Sequence, residues 1–544
     1  MTLSNENTAS GVIERAIEDW LTRASERGYQ TAFCHLLNAM GYTVVHSTTH
    51  GPAEEGKDVV AWDPAGKPSA FQLKRGNINV GCWRAIRSEI AELVEYPINH
   101  PSIPTRRRHR SILVTTGYIN ENASSRINAD KSNWRRRGFP ALETWAGSQL
   151  LAEFQRYAGA FLPQPIPEFH RLLGFMIADG RPLLDKHEFH QLLMSVLPLG
   201  AGSPSMTRAE AGRAIRAVAV IGEYAMAGFD RAENHFAMVE AYTMLACYIW
   251  ATALRLKLST AVSQDTIRLL EIAIDRSVAL IAVAAREYLD SGDVDPWTES
   301  VVRRYRASLI GGVLAAHLLW YFLGGRSEWL ERDKDDVVHL LVRCLELSAL
   351  PSEYFVPHTY LMTEALRYNG RVGLGEHAFL RVLNASIMRK QDRPDTVPLW
   401  DPYLDPEEAV FRHEGRRTPE SEKDVWQEIS YTAWPLILVA ARRNARQFLS
   451  GLWHPITALH FHEPVPARTY QRLLWCFSDG RMRFHMVPRP SSWATLRRES
   501  IKPGNMVHPF KRAPHWLPYY LCVYPQRFHA AAVLSLDDAL CARL

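Results

Sequence analysis

Residues 56–76 read GKDVVAWDPAGKPSAFQLKRG, and the folding of this stretch decides the character of the first part of the chain. Asp58 to Trp62 is a short apolar arm, Asp63-Pro64-Ala65-Gly66 supplies turn chemistry, and Ser69 to Lys74 returns as a second strand. The pattern predicts a β-hairpin with polar ends: an aspartate opens it and Gln72-Leu73-Lys74 closes it. Period-two alternation sets Gln72 and Lys74 on one face of the strand and Leu73 on the other. An acid, an amide and an ammonium gathered at one end of a sheet are costly to bury unless something completes them. A hard divalent cation would do so. Mg²⁺ takes oxygen ligands, so the Asp58 carboxylate, the Gln72 amide oxygen and the Leu73 carbonyl form a candidate donor set. Lys74 would then orient a water or stabilise developing negative charge.

Outward from the hairpin, Val12 to Met40 has helical spacing, with Phe33, Leu36, Leu37 and Met40 on one face and Gly41 as its stop. Thr43 to Thr48 is β-rich. Trp83 to Val94 returns to helical spacing, Ser111 to Thr116 is a strand, Glu121 to Arg136 a polar helix capped by Asn120, Ala141 to Trp145 a last strand, and Leu150 to Tyr157 a closing helix. The order α-β-β-β-α-β-α-β-α predicts a mixed α/β domain over residues 1–162.

With these elements in place, Asp58 followed by Gln72-Leu73-Lys74 on the next strand resembles the PD-(D/E)xK restriction-endonuclease-like superfamily. It is most similar to the Mrr-like branch, in which a glutamine commonly replaces the second acid. Phe33 to Tyr42 resembles the helix preceding the first core strand, and Leu113 to Ile127 the later strand-to-helix crossover. The resemblance covers roughly residues 10–160 and implies a Mg²⁺- or Mn²⁺-dependent nuclease in which Asp58, Gln72 and Lys74 are catalytic. In that family the preceding helix often carries a glutamate about where Tyr29-Gln30 stand. Position 30 is Gln, and Glu26 or Glu55 would supply an additional acid.

Two basic clusters, Arg106-Arg107-Arg108-His109-Arg110 and Arg135-Arg136-Arg137, together with Arg75, are the candidate phosphate contacts, since backbone affinity for DNA comes from Lys and Arg. Residues 1–160 hold 19 Lys and Arg against 16 Asp and Glu, a net of only +3. The whole 544-residue chain carries +5, which permits nucleic-acid binding without arguing for it. Its 47% hydrophobic and 22% charged content is ordinary globular composition, and its length suits two to four domains.

Pro163, Pro165 and Pro167 read as a linker, after which strand signals fade. Helical patterns run over Thr207–Met226, Phe236–Leu258, Thr266–Leu289, Val301–Leu323, Asp335–Leu347, Tyr360–Leu366, Glu376–Met388 and Glu420–Leu449. Thr207-Arg208-Ala209-Glu210 is a capping box, and Asp405-Pro406 places proline at a first helical position. The expectation is an all-α domain over 168–392, a bundle or solenoid without a clean repeat. A further mostly helical region follows over 393–544, with Arg393 to Arg417 as a long loop.

Other chemistries find little support. The seven cysteines (34, 82, 247, 344, 476, 522 and 541) contain no CxxC pair and fit a reducing cytosol, and no signal peptide is expected, so a cytoplasmic location is inferred. Ala307 to Gly325 approaches the length of a membrane span but reads as a buried helix of an all-α domain, so no membrane is expected. His187-Glu188-Phe189-His190 lacks the HExxH spacing and reads as an exposed helix face; His454, His460 and His462 form an equally weak cluster. No GxxxxGK[ST] loop provides an ATP site, and no GxSxG elbow supports a serine hydrolase. The sequence therefore points to a metal-dependent endonuclease acting on DNA, joined to a helical sensor or assembly region that binds a protein partner or a second copy. The architecture resembles bacterial restriction and anti-phage defence proteins. The alternative is a catalytically degenerate nucleic-acid-binding or scaffold protein.

Overall fold

The computed structural model describes residues 17–22, 24, 26–47, 56–103, 108–158, 166–200, 206–259, 261–290, 299–348, 353–392, 429–464, 469–475, 484–506 and 508–543. The Arg393–Arg417 loop and Asp405-Pro406 lie outside them. The chain forms two units, Met1–Leu184 with Gln191–Arg276, and Asp185–His190 with Ser277–Leu544.

The first unit holds a five-stranded mixed sheet in the order β1 (Thr43–Ser47), β2 (Val59–Trp62), β3 (Pro68–Lys74), β4 (Arg110–Thr115), β5 (Glu143–Trp145). The expected hairpin is β2–β3, antiparallel with Val60 opposite Ala70. Asp63 makes its turn: the carboxylate Oδ1 accepts from the N–H groups of Ala65 (2.9 Å) and Lys67 (2.8 Å), and Gly66 takes φ +75°. Strands β3, β4 and β5 run parallel, which requires the crossovers that α2 (Val80–Glu95) and α3 (Glu121–Arg136) supply. Asn79 caps α2 and Asn120 caps α3, each side chain accepting a first-turn N–H.

Even-numbered residues of β2 and β3, Val60 and Ala70, join Trp83, Ile86, Ile90 and Leu93 of α2 and Ile127 and Trp134 of α3 in one apolar core. The opposite face carries α1 (Glu26–Ala39) and α4 (Gly147–Ala158). There Phe33, Phe71 and Trp145 meet edge to face at 5.3–6.1 Å between ring centres.

Residues 17–22 are helical ahead of α1, and the expected helix from Val12 to Met40 is broken at Ala24. The expected linker also ends early. α5 (Ile166–Ile177) takes up Pro167 in its first turn, where the missing N–H has no intrahelical partner to lose. α7 (Arg208–Arg231), with the capping box of Thr207 and Glu210, and α8 (His235–Arg255) complete this unit with the start of α9 (Ala261–Asp290). In chain order α6 (Lys186–Val196) stands between α5 and α7. Asn38 donates to Thr266 Oγ1 (2.9 Å) and Arg268 to the Val45 carbonyl (3.0 Å), tying α9 to α1 and β1.

The second unit is helical, through α10 (Glu299–Phe322), α11 (Glu328–Leu347), α12 (Val356–Tyr368), α13 (Val372–Asp392) and α14 (Ala433–Arg442), with short helices after it. It also contains a sheet that the sequence did not announce: β6 (Ile429–Ser430), β7 (His460–Pro464) and β8 (Phe484–Val487). Strands of two to five residues are too short to show a period. Residues 420–428 of the expected helix Glu420–Leu449 lie outside the described residues, and the rest of it forms β6, α14 and the short helix Arg446–Gly451. Asn444 sits between the two helices at φ +59°, a left-handed residue that ends the first.

The apolar stretch Ala307–Gly325 falls largely in α10, and its glycines have a packing reason. A Cβ on Gly311 would lie 2.3 Å from Met362 Sδ, and one on Gly312 would lie 2.5 Å from His358 Cδ2, so α10 crosses α12 closely. Among the described residues one helix, α8, is long and apolar enough to cross a membrane, and 89% of its apolar window is buried. The His187–His190 segment is not an exposed face. His190 on α6 is buried, and burial pushes its imidazole down to about 3.

Candidate active site

Asp58 lies one residue before β2, where the β2–β3 register continues to Gln72. Its carboxylate is buried and Oδ2 accepts the Leu73 N–H at 2.6 Å, while its own N–H donates to the Phe71 carbonyl (2.9 Å). Leu73 thus meets Asp58 through its amide N–H. Gln72 is also buried, and its Oε1 has no hydrogen-bond partner among the described residues. Lys74, two residues on, shares the strand face of Gln72 and turns its ammonium to Glu89 Oε2 at 2.7 Å. Asp58, Gln72 and Lys74 are therefore gathered at one end of the sheet, on the side that carries α2.

Glu89 is the acid that sequence reasoning missed. It sits mid-helix on α2, and the contact depends on how closely the loop before Asp58 crosses that helix. Gly56 sets the approach: it takes φ +69°, and a Cβ there would lie 2.4 Å from the Glu89 carbonyl oxygen and 3.2 Å from the Leu93 nitrogen. Only glycine serves both conditions. A Gly two residues before the motif aspartate is the one local signal that could have pointed to α2.

Gln30, expected as the position of an additional acid, has another role. It is buried on α1, and its Nε2 donates to the Asp58 carbonyl oxygen (3.1 Å) and to Ser47 Oγ (3.1 Å). A carboxylate would set oxygen against the Asp58 carbonyl, so an amide is the side chain that fits. Glu55 lies outside the described residues, and Glu26 begins α1 with its side chain likewise outside them.

Beyond Lys74 the chain turns sharply at Arg75-Gly76. Gly76 adopts φ +75°, its N–H donates to Thr116 Oγ1 (2.9 Å), and its carbonyl accepts from Thr115 Oγ1 (2.5 Å). Arg75 is exposed beside this turn.

The basic candidates separate. Arg106 and Arg107 lie outside the described residues, and Arg108 is exposed. Arg110 is taken up by other partners: Glu143 at 2.7 Å, Asp63 at 3.3 Å and the Tyr42 hydroxyl at 3.2 Å. Its place beside Ser69 sets it five strand positions, roughly 16 Å, from Lys74. That removes it from the expected phosphate surface. Arg135, Arg136 and Arg137 close α3 and are exposed.

A hard cation needs oxygen donors, and the described residues contain no group of three or more His, Cys, Asp or Glu suited to a metal. What fits such an ion is the pairing of the Asp58 carboxylate with the orphaned Gln72 Oε1, a buried neutral oxygen that lacks a donor. His460 and His462 lie on β7 in the second unit and gather no such group. Compared with known proteins, the chain matches no family model, and no curated protein or solved structure matches it.

Proposed function

We propose that the mixed-sheet region is a PD-(D/E)xK-type nuclease domain that hydrolyses DNA phosphodiester bonds with Mg²⁺ or Mn²⁺. The observation that carries this is the gathering of Asp58, Gln72 and Lys74 on one sheet end, with Gln72 Oε1 buried and lacking a hydrogen-bond donor. Asp58 and Gln72 would hold the ion, beside the Leu73 main chain. Bound there, the ion supplies Lewis-acid polarisation of a phosphoryl oxygen and a more acidic water. The protein's own groups do the rest. Gln30 and the Leu73 N–H fix the Asp58 backbone and carboxylate. Lys74, oriented by Glu89, would set a positive charge near the phosphoryl oxygens, on which negative charge grows as the phosphodiester is attacked. The helical remainder is assigned to sensing or assembly, in the setting of restriction or anti-phage defence.

The test is cleavage of plasmid DNA with Mg²⁺ or Mn²⁺ by the full chain and by Lys74→Ala. Metal-dependent cutting lost in the variant supports the assignment; equal cutting by both excludes it. A second reading, a binding domain that no longer cuts, draws on the lack of a three-residue metal-ligating group around Asp58 among the described residues. Titration calorimetry separates the two, because a degenerate site takes up no Mn²⁺ in an Asp58-dependent way.

A further inference from the structure

A groove of about 740 Å³ opens between α2 and α3, on the outer side of the helices that cover the sheet. Four arginines line it: Arg84 and Arg87 from α2, Arg136 and Arg137 from the end of α3. Two of them are held by carboxylates in a reciprocal arrangement. Asp130 of α3 accepts Arg87 through both oxygens (3.0 and 2.6 Å) and the indole N–H of Trp83 (3.1 Å). Glu95 of α2 accepts Arg137 through both oxygens (2.5 and 2.8 Å) and the indole N–H of Trp134 (2.9 Å).

Each carboxylate thus takes a bidentate arginine and a buried tryptophan from the facing helix. Both acids are committed within the wall, and neither carboxylate contacts Arg84 or Arg136. Among the described residues Arg136 bonds only to the Asn133 side-chain oxygen, a neutral partner, and Arg84 stands exposed on α2. The groove therefore presents an excess of two guanidinium charges, on a wall whose geometry is fixed by ion pairs and indoles.

We propose that this groove binds the phosphate backbone of a nucleic acid, with Arg84 and Arg136 as the phosphate contacts and Arg87 and Arg137 as their held neighbours. Guanidinium groups bind phosphate oxygens through paired N–H donors, and the two helices offer such groups from both sides of an open channel. The choice of nucleic acid over another polyanion rests on the nuclease reading; the charge and geometry of the groove do not.

The test uses the full chain with EDTA, so that no cleavage intervenes. Binding of a 30-base-pair fluorescein-labelled duplex is followed by anisotropy across a salt series, for wild type, Arg84→Gln/Arg136→Gln and, as a control, Arg156→Gln on α4. The double variant should bind about tenfold or more weakly, with the log–log salt slope reduced by nearly two, since each lost phosphate contact removes about 0.9. Arg156→Gln should match wild type.

An unchanged slope and affinity in the double variant overturns the proposal, as does a wild-type chain that binds no duplex. Displacement of the duplex by polyglutamate at equal charge concentration would also overturn it, in favour of an acidic polypeptide. The two readings fail separately. Binding lost in the double variant of a chain that never cuts keeps the groove and removes the nuclease. Cutting by a chain whose binding ignores both arginines does the reverse.

Discussion

The side-chain nitrogen of Gln30 donates to the main-chain oxygen of Asp58 across 3.1 Å, so α1 holds the motif aspartate by its backbone. A glutamate at this position would bring a carboxylate oxygen against that carbonyl, inside a buried pocket. Gln30→Glu is therefore expected to lower stability by roughly 1–3 kcal/mol, the cost of an unmatched buried acceptor, and not to strengthen metal binding. Urea unfolding and Mn²⁺ calorimetry on the variant check both halves. Tighter Mn²⁺ binding at full stability would show that position 30 is an acid site after all.

For Asp58 the structure dictates which substitution is informative. Because Oδ2 accepts the buried Leu73 N–H, Asp58→Ala strands that donor and should cost stability as well as activity. Asp58→Asn keeps an acceptor while removing the charge. It should unfold close to wild type and lose metal-dependent cleavage, which a nicking assay beside a urea melt would read.

Gln72 gives a graded result. Gln72→Glu retains an oxygen donor and adds charge, so cleavage should persist with equal or tighter Mn²⁺ binding, whereas Gln72→Ala should lose most activity. Wild-type behaviour in both variants would place Gln72 outside the ion's ligands. Glu89→Gln is the companion experiment. The Lys74–Glu89 pair is partly exposed, so its loss should change stability by less than about 1 kcal/mol. Activity should fall roughly tenfold as Lys74 loses its orientation.

Two buried groups of the first unit set opposite pH dependences. His35 on α1 lies 3.5 Å from Glu223 on α7. Burial pushes the imidazole down from 6.5 to about 3, and burial pushes the carboxyl up from 4.5 to about 8. The histidine's contribution is complete above pH 6.5 and is lost as pH falls toward 3. The glutamic acid's contribution is complete below pH 4.5 and is lost as pH rises through 8. Wild type should therefore lose stability between pH 6.5 and 8, and Glu223→Gln, which still offers Tyr242 an acceptor, should lose less. Parallel urea midpoints for the two proteins over that interval would remove the buried acid from the account.

In the second unit, Gly312→Ala tests the close crossing of α10 and α12. The added methyl would lie 2.5 Å from the His358 ring and 2.8 Å from its Cβ. Overpacking of this kind costs about 1–3 kcal/mol. A thermal melt on the full chain reads it, and a melting temperature at or above wild type would mean that the crossing is looser than described.

What the sequence disclosed follows how local each feature is. The hairpin was legible because alternation, Asp63 and Gly66 all act within a few residues. So were the caps at Asn120 and Thr207, each next to a clear helical pattern. Glu89 was not, since its meeting with Lys74 depends on α2 passing the loop at Gly56. Gln30 was visible as a position but not as an amide with a task, because its partners are the main-chain oxygen of Asp58, just ahead of β2, and a hydroxyl from β1. Arg110 looked like part of a basic run, and only the sheet register brings Glu143 and Asp63 to it. His190 looked solvated because periodicity in a short helix cannot say which side another helix will cover.

The crossed pairs Asp130 with Trp83 and Glu95 with Trp134 make α2 and α3 a stiff bracket. Arginine forks usually surrender rotamer freedom when they close on an anion. Here Arg87 and Arg137 have already surrendered it, to carboxylates that are themselves anchored by indoles. A polyanion settling between the helices would meet a mould set during folding, and the entropic toll of association would fall mainly on Arg84 and Arg136.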